Sequence, residues 1–348
     1  MCASFFIEDF KMRRSCFKGI GAYVPKQIVT NADLEKLMET TDEWIVQRTG
    51  IKERHWTNSS EGTSDLALQA SLEAINNAGI AKEAIDMIIF ATLSPDHDFP
   101  GSGCFLQAKL GLSNIPALDI RQQCSGFVYG LSIADQYIRS GACQNILLVG
   151  AEVHSRGLDK TTRGRDVSIL FGDGAGAAII GACEVNNPAT DSFIYSTHIH
   201  AEGKYAKELW LPAPGSALGT EERLNNAILA EGLHYPTMNG KRVYVHAVSR
   251  MIEVLGEALA HNNLKPDDID MFFFHQANLR INDTIAEKMN IPAHKVFNTI
   301  SKYGNTTAAT IPIGMRDAIS AGVFKKGMLA ATATFGSGFT WAGGIFRF

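Results

Sequence analysis

Apolar residues recur at helical spacing in two distant stretches of the chain, and each stretch closes on an apolar run of strand length. Residues 66–90 read LALQASLEAINNAGIAKEAIDMIIF, and residues 250–274 read RMIEVLGEALAHNNLKPDDIDMFFF. Each predicts an amphipathic helix, an Asn-rich turn, a short acidic step and a strand entered through Ile-Asp-Met. The offset between them is a constant 184 residues. Helix–turn–strand is common in α/β proteins, but the shared triplet at a fixed offset points to duplication. The chain then reads as two similar α/β halves meeting near 183–190, where ACEVNNPATD has the composition of a loop.

Other segments fit this picture. IPALDIRQQ (115–123) predicts a buried strand running into a turn. CSGFVYGLSIADQYIRS (124–140) places Phe127, Leu131, Ile133, Ala134 and Ile138 so that a helix would be buried on most of its circumference. NILLVGAEV (145–153) and MLAATATF (328–335) predict short apolar strands. The stretch 203–242, rich in Gly, Pro and Asn, predicts long surface loops of the kind that carry binding roles. The first strand is expected near Cys16. Residues 1–11 then form an extension outside the chemistry, with Met12 an alternative first residue.

Composition narrows the class. The 348 residues suit two domains or two fused halves, and 45% hydrophobic with 20% charged residues is a soluble globular profile. A net charge of −4 gives no basic excess for nucleic acid. No apolar run reaches the ~18 residues of a membrane span. The six cysteines form no CxxC pair and no zinc-type Cys/His spacing, so no metal site is expected. Their scatter, with no signal-peptide pattern at the N-terminus, predicts a reducing, cytoplasmic location.

Four places carry candidate chemistry. Cys124 falls between an extended segment and a helix, where free N–H groups and the helix dipole are expected to lower a thiol's pKa; a buried structural cysteine is the alternative. His275 ends the apolar run MFFF, a position that faces the ligand crevice of α/β folds, against the alternative of an ordinary packed histidine. Asn305 lies in KYGNTTAATIP, where its amide would either donate to a carbonyl oxygen or cap a turn. Phe335-Gly336-Ser337-Gly338-Phe339 follows a strand and would either turn a backbone N–H toward a ligand or simply join two strands. The glycines of FGDGAGA (171–177) fit tight helix–strand packing better than phosphate binding.

Together these motifs resemble the β-ketoacyl-acyl-carrier-protein synthase III family, over about Gly19 to Phe348. NADLEKLMETTDEWIVQRTGIKERH (31–55), CSGF (124–127), FGDGAGAA (171–178), HQANLRI (275–281), YGNTTAA (303–309) and FGSGFTW…RF (335–348) occur in the family's order. The resemblance implies a thiolase-like α/β fold: duplicated halves in five α-β-α-β-α layers with mixed sheets, paired as a homodimer. The expected organisation is an extension at 1–15, a nucleophile-bearing half at 16–184 and a half carrying His and Asn at 185–348.

By the same resemblance Cys124 is the nucleophile and His275 and Asn305 complete the triad. The N–H groups of Cys124 and Ser337 form the oxyanion hole, and a neutral N–H of His275 helps hold an enolate. Trp44 and an arginine, Arg163 or Arg165, would stack the adenine of coenzyme A. Arg48 would meet a phosphate and Asn278 the pantetheine arm. Phe171 would line the acyl pocket and Phe99 would close the partner's. Arg280 and Lys288 would dock an acidic carrier protein. The implied substrates are an acyl-CoA and malonyl-acyl carrier protein, with no cofactor beyond the coenzyme A thioester itself. A paralogous condensing enzyme with a different acceptor is the alternative. The departures bear on it: Arg121, Gln122 and Gln123 stand where the housekeeping enzyme has small residues, Ser125 replaces an alanine, and Ser337 replaces a glycine. Lys241, His246 and Glu287 also differ from the family's usual residues.

Overall fold

The computed structural model describes residues 12–58 and 60–348. Its first half runs β1 (Met12–Tyr23), β2 (Gln27–Thr30), α1 (Asn31–Glu35), α2 (Asp42–Thr49), β3 (Glu53–Trp56), α3 (Thr63–Ala78) and β4 (Met87–Ala91). It continues α4 (Ser102–Leu110), β5 (Ala117–Ile120), α5 (Gly126–Arg139), β6 (Asn145–Glu152), α6 (Arg165–Ser168) and β7 (Gly174–Val185). The second half runs β8 (Ile194–Ala201), β9 (Leu209–Trp210), α7 (Asn226–Glu231), β10 (Thr237–Met238), α8 (Gly240–His261) and β11 (Met271–Phe274). It ends α9 (Leu279–Lys288), α10 (Ile300–Tyr303), α11 (Thr310–Ser320), β12 (Leu329–Gly336) and β13 (Thr340–Arg347).

Strand alternation sets the layers. In β4, Met87 and Ile89 face one core while Ile88 and Phe90 face another. In β11, Met271 and Phe273 face the first of these cores and Phe272 and Phe274 a third. The shared core also takes Phe127 and Leu131 of α5 and Ile311 and Met315 of α11. Strands apolar on both faces must be covered on both. The result is α3 and α4, a sheet ordered β1-β7-β6-β4-β5, the central α5 and α11, a sheet ordered β11-β12-β13-β8, then α8 and α9. Both sheets are mixed: β4 pairs parallel to β5 and β6, and β11 parallel to β12, while β7 and β13 run antiparallel to their neighbours. This is the five-layer α-β-α-β-α arrangement expected of a thiolase-like fold.

The duplication is deeper than the sequence echo. The same offset of 184 residues relates the 3₁₀ turns Lys82–Ala84 and Pro266–Asp268, the starts of β4 and β11, and the starts of β6 and β12. The repeated aspartate has a job in both halves. Asp86 donates its N–H to the Asn145 carbonyl and accepts the Asn145 N–H on its carboxylate, both at 2.9 Å. Asp270 does the same with Leu329, both at 2.8 Å. Each aspartate thus fixes the register between two parallel strands.

Three sequence expectations need correction. β1 begins at Met12, not near Cys16, because antiparallel pairing with β7 continues to Met12↔Val185 and Arg13 bonds the Ile138 and Cys143 carbonyls. The same pairing keeps Ala182 to Val185 in β7, so only the later part of ACEVNNPATD is a loop. β5 is half-buried rather than buried, because it is an edge strand with β4 as its partner. The extension expected at residues 1–11 lies outside the described residues. The stretch 203–242 is mainly loop, broken by a 3₁₀ segment, α7 and the two-residue strands β9 and β10.

Candidate active site

The site forms where equivalent turns of the two halves meet. Cys124 is the middle residue of a 3₁₀ turn, Gln123–Ser125, that feeds α5. Its counterpart 184 residues on, Thr307–Ala309, feeds α11. Gln123 and Thr307 share an unusual backbone, with φ of 46° and 45°, which throws the following residue forward in each half. In the first half that residue is the thiol. Gly336 lies against it, where a Cβ would come within 3.0 Å of the Cys124 nitrogen and 3.1 Å of its Cβ. Glycine is needed there because the β12–β13 hairpin brings its backbone onto Cys124. FGSGF is therefore a strand connection whose backbone also packs against Cys124.

Cys124 is 6% exposed. Its thiol is pushed up to about 12, first by burial and then by the carboxylate of Glu152, while the N–H groups of Cys124 and Ser337 pull the other way. The lowered pKa expected from a helix N-terminus is therefore overturned: the two N–H donors pull it down, but loss of water and the Glu152 acid outweigh them. The resting site holds a thiol. The same two N–H groups reach the sulfur, which places them as donors beside any carbonyl bonded to it. The Ser337 hydroxyl is occupied elsewhere, donating to the Leu209 carbonyl.

His275 follows β11, and its backbone N–H continues the pairing to Ala333. The Thr310 hydroxyl donates to the Thr307 carbonyl at 3.0 Å, so the 2.8 Å contact between it and His275 Nδ1 must use a proton on Nδ1. Nε2 is then the acceptor, buried and without a partner. Burial lowers the ring to about 3, so the imidazole is neutral. A ready N–H at Nε2, expected for an enolate donor, is not the resting state. It arises when Nε2 takes a proton, and the Thr310 hydroxyl can turn to donate to Nδ1 once that nitrogen has given up its own.

Asn305 is held by its backbone between Leu170 and Gly172, after Gly304 at φ 61°. Its Oδ1 accepts the Thr307 N–H at 2.8 Å, which leaves the NH₂ group as the free end. Cys124, His275 and Asn305 line one cavity of about 800 Å³, together with Phe171, Phe335 and Gly336.

The mouth of the cavity bears Trp44, Arg48, Arg165, Lys241, Asn278 and Arg280. Trp44 lies between two guanidinium groups, Arg48 at 4.2 Å and Arg165 at 4.6 Å from its ring centre. Arg163 is not there. It pairs with Asp159 at 2.6 Å and lies 5.7 Å from the Tyr235 ring, so of the two candidates Arg165 is the one at the tryptophan. Asn278 caps α9, accepting from the Arg280 N–H and donating to the Arg48 carbonyl. Arg280 and Lys288 are both exposed, in the first and last turns of α9. His246 packs on Tyr205 and Phe339. Phe99 is 81% exposed and does not line the cavity of its own chain.

Sequence reasoning passed over Glu152, Thr310 and His154. Glu152 is buried and raised to about 7, chiefly by burial, against hydrogen bonds that include Thr92, Ser94 and Thr307. Its one signal was an acid closing the apolar run NILLVGAEV. Thr310 and His154 gave none. Among the described residues, no group of three His, Cys, Asp or Glu side chains is arranged to hold a metal, and no helix is long and apolar enough to cross a membrane.

Comparison with known proteins gives a consistent result. Residues 118–203 match the family model for 3-oxoacyl-[acyl-carrier-protein (ACP)] synthase III, and residues 259–348 match its C-terminal model. The β-ketoacyl-[acyl-carrier-protein] synthase III of Escherichia coli (strain K12) is 42% identical over 330 residues, 95% of this chain and 98% of that protein. The synthase III 1 of Vibrio parahaemolyticus is 42% identical over the same shares. The crystal structure of 3-oxoacyl-[acyl-carrier-protein] synthase III from Aquifex aeolicus VF5 superposes with a TM-score of 0.86 at 40% identity, covering 96% of this chain and all of that one.

Proposed function

This chain belongs to the 3-oxoacyl-[acyl-carrier-protein] synthase III family, and from that premise we propose how its residues divide the reaction. The enzyme transfers an acyl group from acyl-CoA and condenses it with malonyl-acyl carrier protein, releasing CO₂, coenzyme A and a 3-oxoacyl-carrier protein. The observation that carries the assignment of roles is the convergence of Cys124, His275 Nε2 and the Asn305 amide on one cavity.

Acylation starts from neutral partners. The Cys124 thiol gives its proton to His275 Nε2 as sulfur attacks the thioester carbon. The N–H groups of Cys124 and Ser337 hold the oxyanion; one such donor contributes about 10²–10³ in rate. The intermediate collapses, the C–S bond to coenzyme A breaks, and the departing thiolate takes the proton from Nε2. An acyl thioester remains on Cys124.

Condensation needs donors instead. The malonyl C–C bond breaks, CO₂ leaves, and the electron pair forms an enolate. Asn305 Nδ2 donates to its oxygen. His275 donates from Nε2 after the ring has taken a proton there from water and given up its Nδ1 proton to water, the Thr310 hydroxyl then turning to donate to the bare Nδ1. The enolate carbon attacks the acyl thioester, and the Cys124 thiolate that leaves takes a proton from water. A deeply buried site favours this sequence, because a permanent thiolate–imidazolium pair would be costly to bury.

At the mouth, Trp44 and Arg165, now in contact, would part to stack the adenine between them, with Arg48 left to meet a phosphate. Arg163 has no place in this reading. Lys241 adds a further cation at the mouth beside Arg48, Arg165 and Arg280, and Asn278 offers the pantetheine arm its remaining amide hydrogen. Arg280 and Lys288 would dock the acidic carrier protein. Exposed Phe99 fits a homodimer in which it closes the partner's acyl pocket beside Phe171, the first half running from β1 to β7 and the second from β8 to β13, and the location cytoplasmic. The test is radiolabelled acyl-CoA with malonyl-carrier protein or malonyl-CoA. Ketoacyl product on the carrier supports the reading; condensation with malonyl-CoA alone would favour a different acceptor.

A further inference from the structure

A fully buried arginine stands behind the Asn305 turn. Arg54 lies in β3, and its guanidinium reaches three neutral acceptors in three segments. Nη1 donates to the Val29 carbonyl at 3.2 Å and to Asn31 Oδ1 at 2.8 Å, and Nη2 donates to the Ile169 carbonyl at 2.8 Å. Two residues along the same strand, Trp56 Nε1 donates to the Phe171 carbonyl at 3.2 Å. The intervening backbone groups belong to Asn305. Its N–H donates to the Leu170 carbonyl at 2.8 Å, and its carbonyl accepts the Gly172 N–H at 3.1 Å. Residues 169–172 are thus held by two β3 side chains and in turn hold Asn305. The fit is close: a Cβ on Gly172 or Gly304 would lie 3.2 Å or 3.3 Å from the Arg54 Cβ.

Packing alone does not ask for arginine here. Burial lowers the guanidinium to about 10, so it stays charged at neutral pH, and its Nε has no partner. Burying a charge is costly, and a methionine would fill similar space without it. What the guanidinium adds is a rigid planar fork that fixes three acceptors from distant segments at once. A donor to a developing enolate oxygen must be in place before the charge appears.

We propose that Arg54 is a positioning residue for condensation: through residues 169–172 it sets where the Asn305 amide stands. It does not line the cavity and touches no substrate. Cys124 is held separately, by its 3₁₀ turn and Gly336, so acylation is spared. The proposal rests on the reading of Asn305 as enolate donor and deepens it.

The test is a double-mutant cycle on the full-length protein. Intact mass reads acylation by acyl-CoA, and product formation from preloaded acyl-enzyme reads condensation. Arg54→Met should slow condensation about tenfold or more through kcat, with KM for malonyl-carrier protein unchanged, while acylation stays within about twofold. In an Asn305→Ala background the same substitution should slow condensation by less than about twofold, because the group it positions is gone. Arg54→Lys keeps the charge without the fork and should show the same pattern more mildly, which also serves if Arg54→Met does not fold. Losses that multiply fully in the Asn305→Ala background, or equal slowing of both half-reactions, overturn the proposal. Asn305→Ala condensing at the wild-type rate would instead remove the reading of Asn305 beneath it.

Discussion

Replacing Thr310 by valine keeps the side chain's shape and removes one hydroxyl. That hydroxyl accepts from His275 Nδ1 at 2.8 Å and donates to the Thr307 carbonyl at 3.0 Å. A neutral buried hydrogen bond is worth about 0.5–1.5 kcal/mol net. That energy favours Nε2 in its acceptor form, so losing it shifts the ratio of the two tautomers by about 2- to 13-fold against the form that takes the Cys124 proton. Acylation should slow by up to that factor. Condensation uses a proton on the same atom and should slow less. Thr310→Ser should restore acylation. Rapid-quench intact mass reads the first half-reaction, and product formation from preloaded acyl-enzyme reads the second. Equal slowing of both halves, or unchanged acylation in a folded Thr310→Val protein, refutes the tautomer assignment.

Other expectations follow from the same geometry. Asn305→Ala should cut condensation by about 10²–10³ while Cys124 still loads, as seen by intact mass against carrier product. Acid stability should reflect three buried groups. His275 and His154 are depressed to about 3 and 4, so their contribution is present above their unfolded pKa near 6.5 and is lost as pH falls, by about 1.4 kcal/mol per unit each. Glu152, raised to about 7, works in the opposite sense: its contribution is present below its unfolded pKa and lost as pH rises toward 7. Chemical denaturation between pH 6 and 4.5 should therefore show a net loss of about one proton's slope, steeper in Glu152→Gln. Asp86→Ala and Asp270→Ala should each destabilise by about 1–2 kcal/mol, read as shifts in denaturation midpoint, because both break the same strand clamp.

The duplication was legible because Ile-Asp-Met repeats in residues as well as in backbone. Its extension to Gln123 and Thr307, or to Glu152 and Gly336, was not, since the two halves keep the conformation and change the side chain. The triad was visible through its motifs. Its protonation state was not, because the Cys124 thiol answers to burial and to Glu152, which is distant in sequence. The choice between Arg163 and Arg165 depends on where α6 begins, and two residues of shift there move a guanidinium from Tyr235 to Trp44. β1 could not be dated to Met12 from MRRS, whose polar residues bond the carbonyls of Ile138, Cys143, Ile194 and Tyr195 only once the halves have packed.

Everything in the proposed chemistry passes through an acyl group held on one sulfur. Intact-protein and peptide mass spectrometry after exposure to acyl-CoA, wild type beside Cys124→Ala, tests this directly. The wild type should gain one acyl mass on the peptide containing Cys124, and the variant should gain none. An acyl mass at another residue, or ketoacyl product formed at full rate by Cys124→Ala, would contradict the account.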